Sequence, residues 1–246
     1  MTCSTRRRLT AAILLVATLA LPVAVAPAGA APTVAHRLAV PPPGLPALKA
    51  DYRFGGTLAS SAGGAPALVN VGPGVNTFAT ENVDGVDRTV LQFPEGNGVQ
   101  LNNATPRIPR DRYTIRLSVR LATTSAYQRL INYGQPAPKQ DHGIYIVGGG
   151  FAVYPNDMGP PDVIGANEWV DLILTRSAGG RLRGYLDGVP QFDLAAMYPN
   201  EARLTAENVL RFFRDNANRD ESAGAVSRIR LYADQMTPAQ VAAVTG

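Results

Sequence analysis

The residues of this chain that could do chemistry are aromatic, carboxylate and guanidinium groups rather than nucleophiles. Tyr127, Tyr133, Tyr145, Tyr154 and Tyr185 all fall in segments that read as strands. Tyr145 lies between Ile144 and Ile146, and Tyr154 has the opposite parity to Phe151 and Val153. Successive strand residues face opposite sides of a sheet, so these two tyrosines turn away from their aliphatic neighbours. An outward aromatic ring beside an arginine or aspartate can stack on a sugar ring and hydrogen-bond its hydroxyls. The loop from Pro155 to Gly165 would border that face and supplies Asp157, while Arg183 lies beside Tyr185 on one predicted strand. The candidate ligand-binding set is therefore Tyr145, Tyr154, Asp157, Arg183 and Tyr185. For any one of these tyrosines the simpler reading is core packing.

A second oxygen-rich stretch runs from Asp215 to Glu221, DNANRDE. Hard cations such as calcium take oxygen ligands, which makes Asp215 and Glu221 candidate metal ligands and calcium the candidate cofactor. The stretch lacks EF-hand spacing, and a solvated Asn/Asp loop, or a Glu221 bonded to backbone amides, explains it equally well. Arg116, Arg120, Arg181, Arg183, Arg228 and Arg230 fall on the polar faces of predicted strands. On neighbouring strands they would form a cationic patch able to bind carboxylates or sulfates. Ordinary solubilising charge, or a GC-rich coding bias against lysine, accounts for them without a ligand.

Other chemistries fail on residue type. Retaining glycosidases need two carboxyls about 5–5.5 Å apart. Glu168 and Asp171 are the nearest strand pair, and their odd separation puts them on opposite faces of a regular strand. The only histidines are His36 and His142, too few for a zinc site and without partners for a triad. The single cysteine is Cys3. No catalytic residue is assigned, and the chain reads as a binding protein rather than an enzyme.

The elements that must position these groups are short strands. Arg112 to Leu121 is the clearest, with Tyr113, Ile115, Leu117, Val119 and Leu121 on one side. Such alternation marks a strand with one face in a core and one in water. Trp169 to Arg176, Arg181 to Leu186 and Val189 to Asp193 form three consecutive strands, the last two joined by Asp187-Gly188, a type I′ hairpin pair. Thr237-Pro238 starts a short helix through Val244. About thirteen short strands punctuated by glycine, with almost no helix, predict an all-β sandwich.

The N-terminal segment carries an address. Arg6, Arg7 and Arg8 precede an apolar run to about Val25, and Ala28-Gly29-Ala30 has the small residues of a cleavage site. That layout predicts a secretory signal peptide over residues 1–30, of Sec or twin-arginine type. Pro32 to Pro46 reads as an extended linker, so that 31–50 connects the signal to a domain over 51–246. The mature chain is expected to be extracellular and to lack both a membrane span and a disulfide. The full chain has 23 basic and 19 acidic residues; without Arg6, Arg7 and Arg8 the balance is 20 to 19. So small a surplus speaks against nucleic acid as a partner.

Three segments then resemble a known family. Asn167-Glu168-Trp169-Val170-Asp171-Leu172, followed by Arg181 to Gly188 with its Tyr185-Leu186-Asp187-Gly188 ending, is similar to a hairpin of laminin-G-like, concanavalin-A-like domains of secreted bacterial proteins. Ser222 to Val226 with Ile229 to Tyr232 resembles their last strand, and Met236 to Val241 their closing helical tail. The resemblance spans about Asp51 to Val244. It implies two antiparallel sheets in a jelly roll, ligands that are extracellular glycans or proteins, and in many members a structural calcium. Family members often carry an Asp soon after the first strand's Phe and acidic residues before the last strand's apolar pair. This chain has Gly55-Gly56 and Ser227-Arg228 there. The resulting expectation is a secreted, non-catalytic module for polysaccharide or glycoconjugate. The alternatives are a protein–protein or adhesion domain and a polysaccharide-degrading enzyme with an unrecognised site.

Overall fold

The computed structural model describes residues 44–62, 64–134, 143–197, 199–216 and 219–245. The expected signal peptide, most of the linker and both histidines lie outside them. Fifteen strands and one helix are described, in two antiparallel sheets.

The first sheet comprises β1 (Leu48–Tyr52), β3 (Thr77–Val83), β4 (Val86–Phe93), β6 (Tyr113–Leu121), β11 (Val170–Arg176), β12 (Leu182–Leu186), β13 (Val189–Leu194) and β15 (Gly224–Tyr232). Its order is β13-β12-β11-β6-β15-β4-β3. The second sheet comprises β2 (Val69–Val71), β5 (Gly98–Asn102), β7 (Tyr127–Asn132), β8 (Gly143–Val147), β9 (Gly150–Tyr154), β10 (Asp157–Met158) and β14 (Val209–Phe212). Its order is β10-β9-β8-β7-β14-β5-β2. The single helix is α1 (Pro238–Thr245). The architecture is the predicted jelly-roll sandwich.

Alternation fixes which side chains meet between the sheets. In β6, Tyr113, Ile115, Leu117, Val119 and Leu121 are all buried, while Arg116, Ser118 and Arg120 turn outward. Across the core stand Ile144 and Ile146 of β8, Phe151 and Val153 of β9, and Leu210 and Phe212 of β14. Phe93 stacks on Phe213 with centroids 4.4 Å apart, and Phe151 meets Phe192 of the other sheet at 5.3 Å. Arg176 is fully buried at one end of this core. Its guanidinium donates to the carbonyls of Glu201 (2.9 Å), Pro199 (2.6 Å), Ser177 (3.1 Å) and Asp111. It thus collects backbone acceptors that burial would otherwise leave unpaired.

Two hairpins share one turn chemistry. Asp187-Gly188 has φ of 48° and 81°, as the predicted type I′ turn requires, and Asp84-Gly85, with 51° and 82°, joins β3 to β4 in the same way. β3 runs to Val83 because this turn lies just beyond it. β1 begins at Leu48, inside the segment read as linker.

The outer face of the first sheet carries two smaller apolar clusters. α1, through its own Val241, covers Ile173, Tyr185, Tyr232 and Met236, and it starts with a capping box in which Thr237 N donates to Gln240 Oε1 (2.8 Å) and Gln240 N to Thr237 Oγ1 (3.3 Å). Trp169 packs outside the same sheet on Val83, Val90 and Ala225, with Arg120 5.8 Å from its ring. Trp169 therefore anchors an outer cluster and not the inter-sheet core.

Candidate functional site

The outer face of the second sheet gathers three tyrosines through strand register. Arg129 of β7 pairs with Tyr145 of β8, Tyr127 with Val147, and Gly143 with Tyr154 of β9. By alternation Tyr127, Arg129, Tyr145 and Tyr154 all leave the sheet on one side. Their rings meet edge to face: Tyr127–Tyr145 at 5.9 Å, Tyr127–Tyr154 at 5.4 Å and Tyr145–Tyr154 at 6.0 Å between centroids. This geometry sets the positive edge of one ring against the negative face of another. Tyr145 is 0 % exposed and forms the floor; Tyr127 and Tyr154, 43 % and 39 % exposed, form the walls. With Asp220 they line a recess of ≈ 250 Å³.

A buried arginine supports the floor. The Arg129 guanidinium carbon lies 4.0 Å from the Tyr145 centroid, within reach of a cation–π contact. Arg129 also pairs with Asp215, the two side chains being 1 % and 4 % exposed. Gly143 makes room for it, since a Cβ there would overlap Arg129 Nη1 and come within 2.8 Å of Tyr145. The Arg129 amide donates to the Asp220 carbonyl at 2.7 Å, bringing the 215–221 loop to the rim of the recess.

That loop is held by arginine and not built for a cation. Asp215 faces Arg129. Glu221 accepts from the Asp215 amide at 2.9 Å, and Arg214 Nη1 lies 2.9 and 3.1 Å from its two oxygens. Arg214 in turn donates to the Gly96 carbonyl at 2.5 Å. Burial pushes the Glu221 carboxyl above the ordinary range, against the opposing pull of the Asp215 amide and Arg214. Among the described residues no three His, Cys, Asp or Glu side chains come together as metal ligands. Calcium does not fit Asp215 and Glu221, because their oxygens already serve guanidinium and amide donors.

The remaining expected residues separate. Tyr185 is buried on the other sheet beneath α1, so it is packing and not platform. Arg183, also on the first sheet, pairs with Asp193 at 3.1 Å. Asp157 pairs in register with Val153, which puts it on the side opposite the tyrosines, and its Oδ1 accepts from the Met158 amide at 2.9 Å. Tyr133 is buried in the core beside Tyr113. Glu168 caps a turn through the Gly165 amide at 3.0 Å, and Asp171 pairs with Arg116. Arg129 and Asp220 were not singled out in the sequence. Arg129 has the right parity with Tyr127, but its partner Asp215 is 86 residues away.

The arginines of the first sheet are matched by carboxylates. Arg116 embraces Asp171 through Nε at 2.8 and 2.9 Å, Arg228 embraces Asp51 at 2.7 Å twice, and Arg120 embraces Glu81 at 2.6 Å twice. Arg181 and Arg183 share Asp193. The expected uniform cationic patch is largely a ladder of ion pairs, since the strands interleave acids the sequence separates widely.

Similarity to known proteins follows this architecture. Domain 4 of the extracellular GH43 arabinanase AbnA from Geobacillus stearothermophilus, solved in complex with arabinotriose, superposes with a TM-score of 0.63 at 18% identity, covering 81% of this chain and 98% of that one. The binding domain of botulinum neurotoxin serotype G gives 0.58 at 13% identity, covering 81% and 50%. The Trypanosoma rangeli sialidase gives 0.50 at 16%, covering 68% and 28%. At such identities the likeness is one of fold. No curated protein sequence matches this chain. Residues 93–242 match the laminin G type 3 family, and the chain belongs to this family of the concanavalin A-like lectin/glucanases superfamily.

Proposed function

We propose that this protein is an exported, non-catalytic binding module for a polysaccharide or glycoconjugate, held in the Tyr127–Tyr145–Tyr154 recess. The observation that carries the reading is the set of half-exposed tyrosine walls on a buried aromatic floor, with Asp220 at the rim. A sugar presents C–H faces to aromatic rings, and the recess offers three such rings with Asp220 among its lining residues. Register and the Arg129–Asp215 pair hold the rings in place before any ligand arrives, which lowers the ordering cost of binding. Export is supported by Arg6 to Arg8, the apolar run and Ala28-Gly29-Ala30.

Affinity electrophoresis of the full chain against neutral and acidic polysaccharides tests the reading. At least one polysaccharide should retard the protein, and Tyr154→Ala should weaken that retention about tenfold, as loss of one stacked ring does, without changing the unfolding free energy by more than about 1 kcal/mol. Equal retention of the variant, or release of new reducing ends, counts against it. N-terminal sequencing of protein recovered from culture medium should begin at Ala31.

A further inference from the structure

On the opposite side of the sandwich, the ladder of ion pairs has a gap. Arg88, Arg116, Arg228 and Arg230 line a recess of ≈ 160 Å³ on the outer face of the first sheet, with Ser118 and Ser227 among its lining residues. Asp84 and Asp171 also border it. The charges do not cancel locally. Asp171 is taken by Arg116, and Asp51 is embraced by Arg228 and also bonded by Arg53 at 2.8 Å. Arg230 stands directly opposite Arg116 in the β15–β6 register, and its nearest carboxylate oxygen, on Asp51, is 3.7 Å away. Arg230 Nε is buried without a hydrogen-bond partner among the described residues. Like charges facing each other across a strand pair destabilise a sheet unless something bridges them.

The bulge at Ser227 adds a hydroxyl donor. β15 shifts register between Val226 and Arg228, and Ser227 Oγ donates to Ser118 Oγ at 2.6 Å. That bond leaves the Ser118 proton available to an acceptor in the recess. Planar guanidinium donors with a hydroxyl suit an oxyanion, which takes several charge-assisted hydrogen bonds at once. At ≈ 160 Å³ the recess is smaller than the ≈ 250 Å³ tyrosine recess and suits a single charged group.

We propose that this recess is an anion site, separate from the tyrosine recess, that takes a sulfate-type oxyanion, free or carried as a substituent on a sugar chain. Arg88 and Arg230 supply the guanidinium donors, Ser118 the neutral donor, and Arg116 and Arg228 fix the walls through their own carboxylates. Calorimetric titration of the full chain with sodium sulfate, at ionic strength held constant with sodium chloride, tests it. Wild type should bind sulfate saturably. Arg88→Ala, an exposed position outside the Asp51 network, should weaken binding about tenfold, as loss of one charge-assisted contact does. Arg230→Met should do the same; if that variant fails to fold, Arg88→Ala alone carries the test. A sulfated oligosaccharide and its desulfated form, titrated in parallel, separate the two sources: preference for the sulfated chain over free sulfate assigns a substituent, and equal affinity assigns the free ion. Tyr154→Ala should leave sulfate affinity unchanged, so failure of the tyrosine reading and failure of this one are distinguishable. No saturable heat, equal affinity in Arg88→Ala, or loss of sulfate binding in Tyr154→Ala overturns the proposal.

Discussion

The two outer faces of this sandwich are built from the same alternation and end up with opposite chemistry. On the second sheet the outward positions around β7, β8 and β9 are aromatic, and the one guanidinium among them is buried against a ring and a carboxylate. On the first sheet the outward positions left uncovered by the two apolar clusters include arginines on β6, β12 and β15, partly exposed and laced to Asp51, Glu81, Asp171 and Asp193. The difference teaches that strand parity selects a side, while cross-strand neighbours decide what that side can do. A ring among rings makes a recess for carbohydrate surface; an arginine among aspartates makes a brace.

The comparison breaks most visibly at the buried arginine. Arg129→Met should destabilise the fold by about 3–5 kcal/mol in urea titration, because it strands the Asp215 carboxylate without its counter-charge. It should also weaken polysaccharide retention, since the floor tyrosine loses its support. On the other face Asp51→Asn should cost less, about 2–3 kcal/mol, because Arg228 and Arg53 retain access to water when their shared carboxylate is removed. If the two costs come out reversed, the brace and not the recess is the more tightly built region.

Acid should separate the faces next. Burial raises the Asp51 carboxyl, but hydrogen bonds from Arg228 and Arg53 outweigh it and hold it below the ordinary range. Arg120 holds Glu81 low and Arg181 holds Asp193 low. A depressed folded-state value contributes stability above the unfolded value and loses it as pH falls through the folded one. Glu221 has the opposite sign: its raised value contributes stability at low pH that disappears as pH rises through the folded value. Urea midpoints followed from about pH 7 down to about pH 3 should therefore fall less in Glu81→Gln than in wild type and more in Glu221→Gln. The smallest effect is expected at Arg181→Ala. Its pair with Asp193 is open to water on both sides, so the midpoint should not move measurably.

Much of the fold was legible because it depends on local pattern. The alternation of β6 and the Asp187-Gly188 turn are legible directly, and the same dipeptide rule places the turn at Asp84-Gly85. The outward direction of Tyr145 and Tyr154 followed from their aliphatic neighbours. What the pattern could not show is what lies on top of an outward face. Tyr185 points outward as strand parity requires and is nevertheless buried, because α1 folds back over it from more than fifty residues on. Asp157 failed because a two-residue strand carries too little alternation to fix its side. Asp215 was read as a metal ligand for its oxygens alone; its true partner, Arg129, is distant in sequence and carries no local signal.

The position of β15 sets the order in which the molecule can be completed. This last strand lies inside the first sheet, paired along one side with β6 and along the other with β4 and then β1, laid end to end. Beyond a local bridge from Tyr52 to Ser60, the earliest described strand thus has no strand partner until the latest one arrives: Tyr52 pairs with Ile229, and Ala233 N reaches Ala47 O at 3.0 Å. Contacts this distant in sequence close slowly, after local hairpins have formed. Until Gly224 to Tyr232 emerges, β1 and β4 have no partner on that side and the first sheet remains incomplete.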